Sequence, residues 1–221
     1  HGEVLAVVDA MSVTKIRTGA VSAVATRALA NPDAKVLAIL GCGAQGHSPL
    51  NAVAPALDLP EVRCWDAYAP CGEKLAAAAQ EKGLRGVACA TAQEAVQGAD
   101  VICTLTPSKE PILRSGWVKD GAHINAIGAC APTARELDSD LMARSRVFCD
   151  NIESILHESG DFLIPLQEGR YGKEHLLGTV GDVLLGRCPG SGSRKEIHIF
   201  KAVGRAVEEI ARAIQQSEQA L

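Results

Sequence analysis

The sequence predicts an α/β protein built on a doubly wound parallel sheet, with part of a second, smaller domain. Apolar runs alternate with helical segments from residue 36 to residue 149, and such alternation produces parallel strands joined by right-handed crossovers. A glycine-rich turn follows the first of these runs, and an acidic residue ends the next one. Together these features are typical of the Rossmann-type architecture.

The individual elements follow from the hydrophobic period and from the residues that interrupt it. Residues 3–9 predict a strand, and residues 13–30 predict a helix that begins at the N-cap Ser12 and ends at Asn31-Pro32-Asp33. The alternating part predicts strands at residues 36–40, 62–66, 86–90, 100–105, 122–127 and 147–149. Helices are predicted at residues 45–57, 72–82, 92–97 and 133–143, with Thr91 and Glu94 at capping-box spacing before the third. After residue 150 we predict short helical pieces, a Gly/Ser/Pro-rich loop at residues 188–193 and an amphipathic helix at residues 203–216.

The composition excludes two classes of partner. With a net charge of −4, no basic cluster and 3% aromatic residues, the chain is not expected to bind nucleic acid. Its apolar runs are far shorter than the about 20 residues that span a bilayer. The eight cysteines include no Cys-x-x-Cys pair, so we predict no metal site, and a reducing compartment is favoured over a disulfide scaffold.

The most informative motif is the turn Gly41-Cys42-Gly43-Ala44-Gln45-Gly46. Gly41 permits the tight turn, Gly43 lets the backbone approach a pyrophosphate, and Gly46 lets the following helix pack against the strand. Asp66 ends the next apolar run, twenty residues after Gly46, where a carboxylate can accept hydrogen bonds from ribose hydroxyls. This context favours a dinucleotide site over the alternative of a glycine-rich turn beside a surface aspartate.

Four further residues follow strands at the edge where ligands bind in such folds. Thr104 and Thr106 lie at the end of one predicted strand, and Ile127 and Gly128 lie at the end of another. Small and hydroxyl-bearing residues at this edge are suited to border a nicotinamide ring and its ribose. An ordinary exit from strand to loop is an equally good interpretation of each residue taken singly.

Two charged residues are candidates for chemistry. Asp161 precedes the apolar run Phe162-Leu163-Ile164, and partial desolvation of its carboxyl group would suit it to proton transfer. Arg17 lies in a helix among small residues, where a guanidinium can hold a carboxylate in bidentate fashion. A turn aspartate and a solvated helix arginine are the alternative interpretations, and the residues alone favour them.

Ordered motifs through nearly the whole chain resemble the ornithine cyclodeaminase/mu-crystallin family, and most closely its mu-crystallin-like ketimine reductases. The segments that carry the resemblance are residues 15–23, 39–45, 94–102, 110–113, 117–129, 135–138, 158–161 and 200–204. The resemblance implies that Arg17 binds the substrate carboxylate and that Asp161 is the acid/base residue. It also implies a cofactor lined by Gly41, Gly43, Ala44, Gln45, Thr104, Thr106, Ile127 and Gly128.

The family's architecture implies three segments here. Residues 1–30 would be a strand and a linking helix of a substrate and dimerisation domain, and residues 31–150 the dinucleotide-binding domain. Residues 151–221 would hold an active-site loop region and return to the first domain. Family members carry further residues before the strand at residues 3–9, so this chain is expected to lack the N-terminal part of that domain and to form a homodimer only with it.

This sequence departs from mu-crystallin-like members in three places. They tend to have Asn-Arg-Thr where this chain has Asp66-Ala67-Tyr68. Asp66 would repel the 2′-phosphate of NADP and no arginine replaces it, so we predict a preference for NAD(H), with NADP as the alternative. Ala202 also stands where serine is usual, and Pro49 lies early in a predicted helix, where only the first turn tolerates it.

The leading functional hypothesis is an NAD(P)-dependent ketimine reductase or amino-acid dehydrogenase acting on a small, cyclic imino or amino acid. Ornithine cyclodeamination is a sibling alternative. A non-catalytic binding or structural subunit that keeps the nucleotide fold is the alternative from another class. We expect a cytoplasmic protein, with an organelle matrix or stroma as the alternative.

Overall fold

The computed structural model describes residues 9–204, which surround one eight-stranded parallel sheet. The strands are β1 (Val36–Leu40), β2 (Glu61–Trp65), β3 (Arg85–Ala88), β4 (Val101–Thr104), β5 (His123–Ala126), β6 (Arg146–Cys149), β7 (Leu176–Thr179) and β8 (His198–Lys201). Their order is β3-β2-β1-β4-β5-β8-β6-β7, and every pairing is parallel. The predicted α/β fold with a doubly wound parallel sheet is therefore confirmed.

Helices cover both faces of this sheet. They are α1 (Ala10–Leu29), α2 (His47–Ala56), α3 (Ala69–Glu81), α4 (Ala92–Val96), α5 (Ser139–Arg144), α6 (Ile152–Glu158), α7 (Gly160–Gln167) and α8 (Val180–Leu184). Alternate residues of β1 serve opposite faces, because successive side chains of a strand point in opposite directions. Leu37 and Ile39 pack in one core cluster with residues of α2 and α3, whereas Ala38 and Leu40 pack in another with residues of α4 and α5.

The predicted helix at residues 133–143 is wrong in its first half. The helix begins only at Ser139, because the side chain of Asp138 caps it by accepting a hydrogen bond from the Leu141 backbone N–H at 2.8 Å. The preceding residues form turns that carry Glu136 into the interior. The first helix likewise begins earlier than predicted, since Asp9 caps it in place of Ser12.

Two strands of the sheet are missing from the prediction. Strand β7 forms one edge of the sheet, and β8 lies between β5 and β6. Both strands come from the segment after residue 150. The division into a dinucleotide-binding domain at residues 31–150 and a third segment at residues 151–221 stays a prediction. The strand expected at residues 3–9, apart from Asp9, and the helix expected at residues 203–216, apart from Val203 and Gly204, lie outside the described residues. Val203 and Gly204 themselves are not helical.

A buried histidine in β5 makes stability depend on pH. His123 is fully buried, and burial lowers its pKa to about 3, so the folded protein holds the neutral ring. The unfolded chain takes up a proton near pH 6.5, and stability is therefore full above that pH and lost below it. We expect the free energy of unfolding to fall by about 2 kcal/mol between about pH 7.5 and about pH 5 from this group alone. Urea denaturation of the wild type and of His123→Gln at both pH values checks it, and an equal loss in both proteins would contradict it.

Candidate functional site

The glycine turn joins β1 to α2. Its three glycines differ in how closely other atoms surround them. Gly41 has a φ of +98°, and a Cβ there would lie 2.8 Å from the Leu105 carbonyl oxygen. A Cβ at Gly46 would lie 2.7 Å from the Cα of Cys42. Around Gly43, by contrast, no described atom lies within 4 Å of the Cβ position. Gly41 and Gly46 are therefore required by the fold, whereas Gly43 faces open space that a ligand can enter.

Asp66 lies at the carboxyl end of β2 and is bound to this turn. Its Oδ2 accepts a hydrogen bond from the Cys42 backbone N–H at 2.7 Å, and its Oδ1 accepts one from the Tyr68 N–H at 2.8 Å. The side chain is half-buried, and each oxygen keeps a second lone pair that can accept a further hydrogen bond. Asp66 borders a cavity of about 560 Å³, here called the Asp66 cavity, together with Gly41, Gly43 and Tyr68.

A second cavity of about 330 Å³ lies beside it and is here called the Arg17 cavity. Helix α1 contributes Thr14, Arg17 and Thr18, and the remaining lining residues are Gln45, Leu105, Thr106, Pro107, Ile127, Gly128, Cys130, Ala202, Val203 and Gly204. Leu105, Thr106 and Pro107 line both cavities, so the two form adjoining parts of one depression at the carboxyl ends of the strands. The Arg17 guanidinium lies against Gly204, where a Cβ would be 2.7 Å from Arg17 Nη1.

Behind the Arg17 cavity lies a fully buried ion pair. Lys201 Nζ and Asp161 Oδ2 are 3.0 Å apart, and both side chains are 0% exposed. Asp161 Oδ1 accepts hydrogen bonds from the backbone N–H groups of Glu136 at 2.7 Å and Leu137 at 3.0 Å. Within residues 9–204, Asp161 Oδ2 and Lys201 Nζ have no polar partner other than each other.

A second buried carboxylate adjoins this pair. Burial first, and then the charge of Asp161, raises the pKa of Glu136. Burial alone would lower the pKa of Lys201. The negative charges of Asp161 and Glu136 outweigh this effect and raise the pKa above its usual value. The ammonium of Lys201 is therefore held in its charged form by two carboxylates in a site from which water is excluded.

The structure brings most of the predicted site residues together. Gly41, Gly43, Asp66 and Thr106 line the Asp66 cavity, and Arg17, Gln45, Thr106, Ile127 and Gly128 line the Arg17 cavity. Three others line neither. Ala44 is exposed on the turn, Thr104 is buried with its hydroxyl 2.7 Å from Glu136 Oε2, and Asp161 is buried with Lys201.

Sequence reasoning missed Glu136 and Lys201 as parts of the site. The signal for Lys201 was a lysine that ends the run His198-Ile199-Phe200, since a charge among apolar residues is rarely buried without a partner. Glu136 carried no comparable signal, because it precedes a helix at the surface-like segment Ala134-Arg135. Among residues 9–204 no cluster of histidine, cysteine and carboxylate side chains is arranged to hold a metal ion, and no helix there is long and apolar enough to cross a bilayer.

A model of the ornithine cyclodeaminase/mu-crystallin family matches residues 1–221. The ketimine reductase mu-crystallin of Mus musculus is 40% identical over 96% of this chain and 64% of its own length. A delta(1)-pyrroline-2-carboxylate reductase of Bacillus cereus is 36% identical over 100% of this chain and 68% of its own length. The chain therefore spans about two thirds of the curated relatives that it matches.

Solved structures agree with the family model. The Thermococcus litoralis delta(1)-pyrroline-2-carboxylate reductase, in complex with NADH and L-proline, has a TM-score of 0.92 at 34% identity, over 95% of this chain and 65% of that one. An archaeal alanine dehydrogenase dimer with bound NAD has a TM-score of 0.88 at 33% identity, over 94% of this chain and 64% of that one.

Proposed function

The chain belongs to the ornithine cyclodeaminase/mu-crystallin family, and from this premise we propose that it is an NAD-dependent oxidoreductase acting on a small imino or amino acid. The observation that carries the proposal is the pair of adjoining cavities at the carboxyl ends of the strands. One offers open space over Gly43 beside a carboxylate, and the other offers a guanidinium 2.7 Å from the Cβ position of Gly204. A dinucleotide laid across both would bring its nicotinamide end towards Arg17.

The residues present fit such a cofactor. Gly43 would receive the pyrophosphate, Asp66 the adenosine ribose, and the wall of Thr106, Ile127 and Gly128 the nicotinamide end. The bound cofactor would supply a hydride donor or acceptor, as nicotinamide cofactors do. Relatives of known structure hold NADH or NAD, which supports this assignment.

The chain's own residues would bind and orient the substrate and balance its charge. Arg17 would hold the substrate carboxylate by paired hydrogen bonds, which fixes the C=N carbon relative to the cofactor. On reduction, a C–H bond forms at that carbon as the C=N π bond breaks, and one proton is taken up at nitrogen. We propose Asp161 as the group that manages this proton, with Lys201 balancing its charge, because the resemblance to the family implies this role and the pair lies behind the wall of the Arg17 cavity.

The preference for NAD over NADP is proposed from Asp66. Its two oxygens are held by backbone N–H groups at 2.7 and 2.8 Å, so the carboxylate cannot easily swing away from an incoming phosphate. A 2′-phosphate beside this carboxylate would bring two negative charges together, and like charges repel each other in a half-buried site. A relative, the iminosuccinate reductase of Paracoccus denitrificans, is in complex with NAD+, which supports NAD as the cofactor.

The test is a fluorescence titration of the protein with NADH and separately with NADPH. We expect NADH to bind at least about tenfold more tightly. Tighter binding of NADPH would overturn the role of Asp66. Binding of neither cofactor would overturn the proposed function and favour the non-catalytic alternative. A separate assay with ornithine tests the cyclodeaminase alternative, which release of ammonia would favour. A homodimer is also proposed for the chain joined to the N-terminal part of its substrate and dimerisation domain, since a relative is a dimer, and sedimentation of that longer protein tests it.

Replacement of Gly43 separates binding from folding. We expect Gly43→Ala to leave the free energy of unfolding within about 0.5 kcal/mol of the wild type, because the added methyl group meets no atom of the described residues. The same methyl group would occupy the space proposed for the pyrophosphate, so the Kd for NADH should rise at least about tenfold. Gly116→Ala is the matched control, since Gly116 also has open space around its Cβ position and lies in neither cavity. Equal Kd values for the two variants would contradict the prediction.

A further inference from the structure

Two residues in the wall of the Arg17 cavity, Thr106 and Gly128, are held in place by one side chain that lines neither the Arg17 cavity nor the Asp66 cavity. Glu136 is fully buried, and each of its carboxylate oxygens accepts two hydrogen bonds. Oε1 accepts from the Thr106 backbone N–H at 2.6 Å and from the Thr106 hydroxyl at 2.8 Å. Oε2 accepts from the Thr104 hydroxyl at 2.7 Å and from the Gly128 backbone N–H at 2.8 Å.

These four donors come from two different strand ends. Thr104 and Thr106 leave β4, and Gly128 follows β5, so the carboxylate of Glu136 crosslinks the two loops that form the wall. The Gly128 N–H also lies 3.1 Å from the Thr104 carbonyl oxygen, a longer contact than the one to Glu136. The space around Gly128 is tight, since a Cβ there would lie 2.2 Å from the Thr106 carbonyl oxygen.

We propose that Glu136 is a positioning residue that sets the shape of the nicotinamide-side wall, and that it acts on that half of the cofactor selectively. The inference rests on the proposed dinucleotide site. Of the residues that the carboxylate of Glu136 holds, Gly128 lines the Arg17 cavity alone and Thr106 lines both cavities. The described hydrogen bonds of Asp66, which would meet the adenosine half, go instead to the glycine turn and to Tyr68. The backbone N–H of Glu136 is bound in turn by Asp161, so the wall and the buried ion pair form one connected unit.

The experiment compares two probes that differ in the nicotinamide alone. The Kd for NADH is measured by its fluorescence, and the Kd for ADP-ribose by displacement of bound NADH. Glu136→Gln preserves the shape of the side chain but replaces one oxygen by an N–H₂ donor, so that the single remaining oxygen cannot accept from both Thr106 and Gly128. We expect the Kd for NADH to rise about tenfold in this variant, with the Kd for ADP-ribose changed by less than about twofold.

Thr104→Val is the second variant and is needed if Glu136→Gln fails to fold. Valine has the shape of threonine and removes one of the four hydrogen bonds to Glu136 without touching either cavity. We expect a smaller change with the same selectivity, about threefold for NADH and none for ADP-ribose.

Equal loss of both probes would overturn the proposal, since it would indicate general destabilisation, and so would unchanged binding of both. These outcomes differ from failure of the proposed function itself, in which the wild-type protein would bind neither probe. A further readout follows if the variant turns over substrate. Misplacement of the nicotinamide alone should lower kcat while the KM of the substrate stays near the wild-type value.

Discussion

Replacement of Asp161 by asparagine is expected to destabilise the protein by about 3–5 kcal/mol, which is a large fraction of a typical domain's stability. The amide would keep an oxygen for the backbone N–H groups of Glu136 and Leu137, but it would turn an N–H₂ group towards Lys201 Nζ. A buried ammonium would then lose its 3.0 Å partner with no water to replace it. Urea denaturation of the wild type and of Asp161→Asn at neutral pH measures the loss.

The matched variant for this experiment is Asp161→Asn combined with Lys201→Met. Methionine fills a similar volume without a charge, and removal of both charges from a buried pair is often neutral. We expect the double variant to recover part of the stability lost in Asp161→Asn, since Lys201→Met also removes the positive charge beside Glu136. Failure to recover it would mean that the ion pair is not the source of the loss.

The same pair of variants tests the proposed chemistry of Asp161. A loss of turnover in Asp161→Asn alone has two explanations, since the variant is also expected to be destabilised. A double variant that is stable and binds NADH but does not turn over would assign the proton-transfer role to the pair. Turnover near the wild-type rate in the stable double variant would contradict that role.

Replacement of Gly41 by alanine is expected to lower both stability and cofactor binding. The φ of +98° costs a residue with a Cβ about 1–2 kcal/mol, and crowding against the Leu105 carbonyl oxygen at 2.8 Å adds about 1–3 kcal/mol. Leu105 lines both cavities, so its displacement should also raise the Kd for NADH by at least about tenfold. Denaturation and fluorescence titration of the same preparation measure the two effects.

Gly83→Ala is the control that isolates the crowding. Gly83 has a φ of +78°, but no atom of the described residues lies within 4 Å of its Cβ position, and it lies in neither the Asp66 cavity nor the Arg17 cavity. We expect this variant to lose the strain energy alone, about 1–2 kcal/mol, with unchanged affinity for NADH. An equal loss of stability in both variants would show that Leu105 yields without cost.

The sequence was sufficient for the alternating half of the fold and for the position of the glycine turn beside Asp66. The strands from β1 to β6 were found because each is a compact apolar run bounded by turn residues, and the glycine turn with Asp66 has a spacing that chemistry constrains. Strand β8 was missed because it carries His198 and Lys201 at its ends and is placed only by neighbours far away in the sequence.

The residues of the Arg17 cavity show that sequence reasoning cannot predict which distant residues lie around one space. Arg17, Gln45, Gly128 and Ala202 have no sequence proximity, and only the finished sheet places them around one space. Thr104 illustrates the opposite error. It ends the expected strand, yet its hydroxyl faces inward to Glu136, because the side chain's direction depends on the pleat and not on the position along the chain.

The position of β8 between β5 and β6 bears on how the protein assembles during synthesis. Strands β6 and β7 pair with each other, but their hydrogen-bonded connection to β5 runs through β8, which leaves the ribosome last of the eight. The nascent chain must therefore hold β5 and β6 with unpaired edges until residues 198–201 emerge. Lys201 lies on the same strand, so the carboxylate of Asp161 lacks Lys201 as its counter-ion until residues 198–201 have left the ribosome.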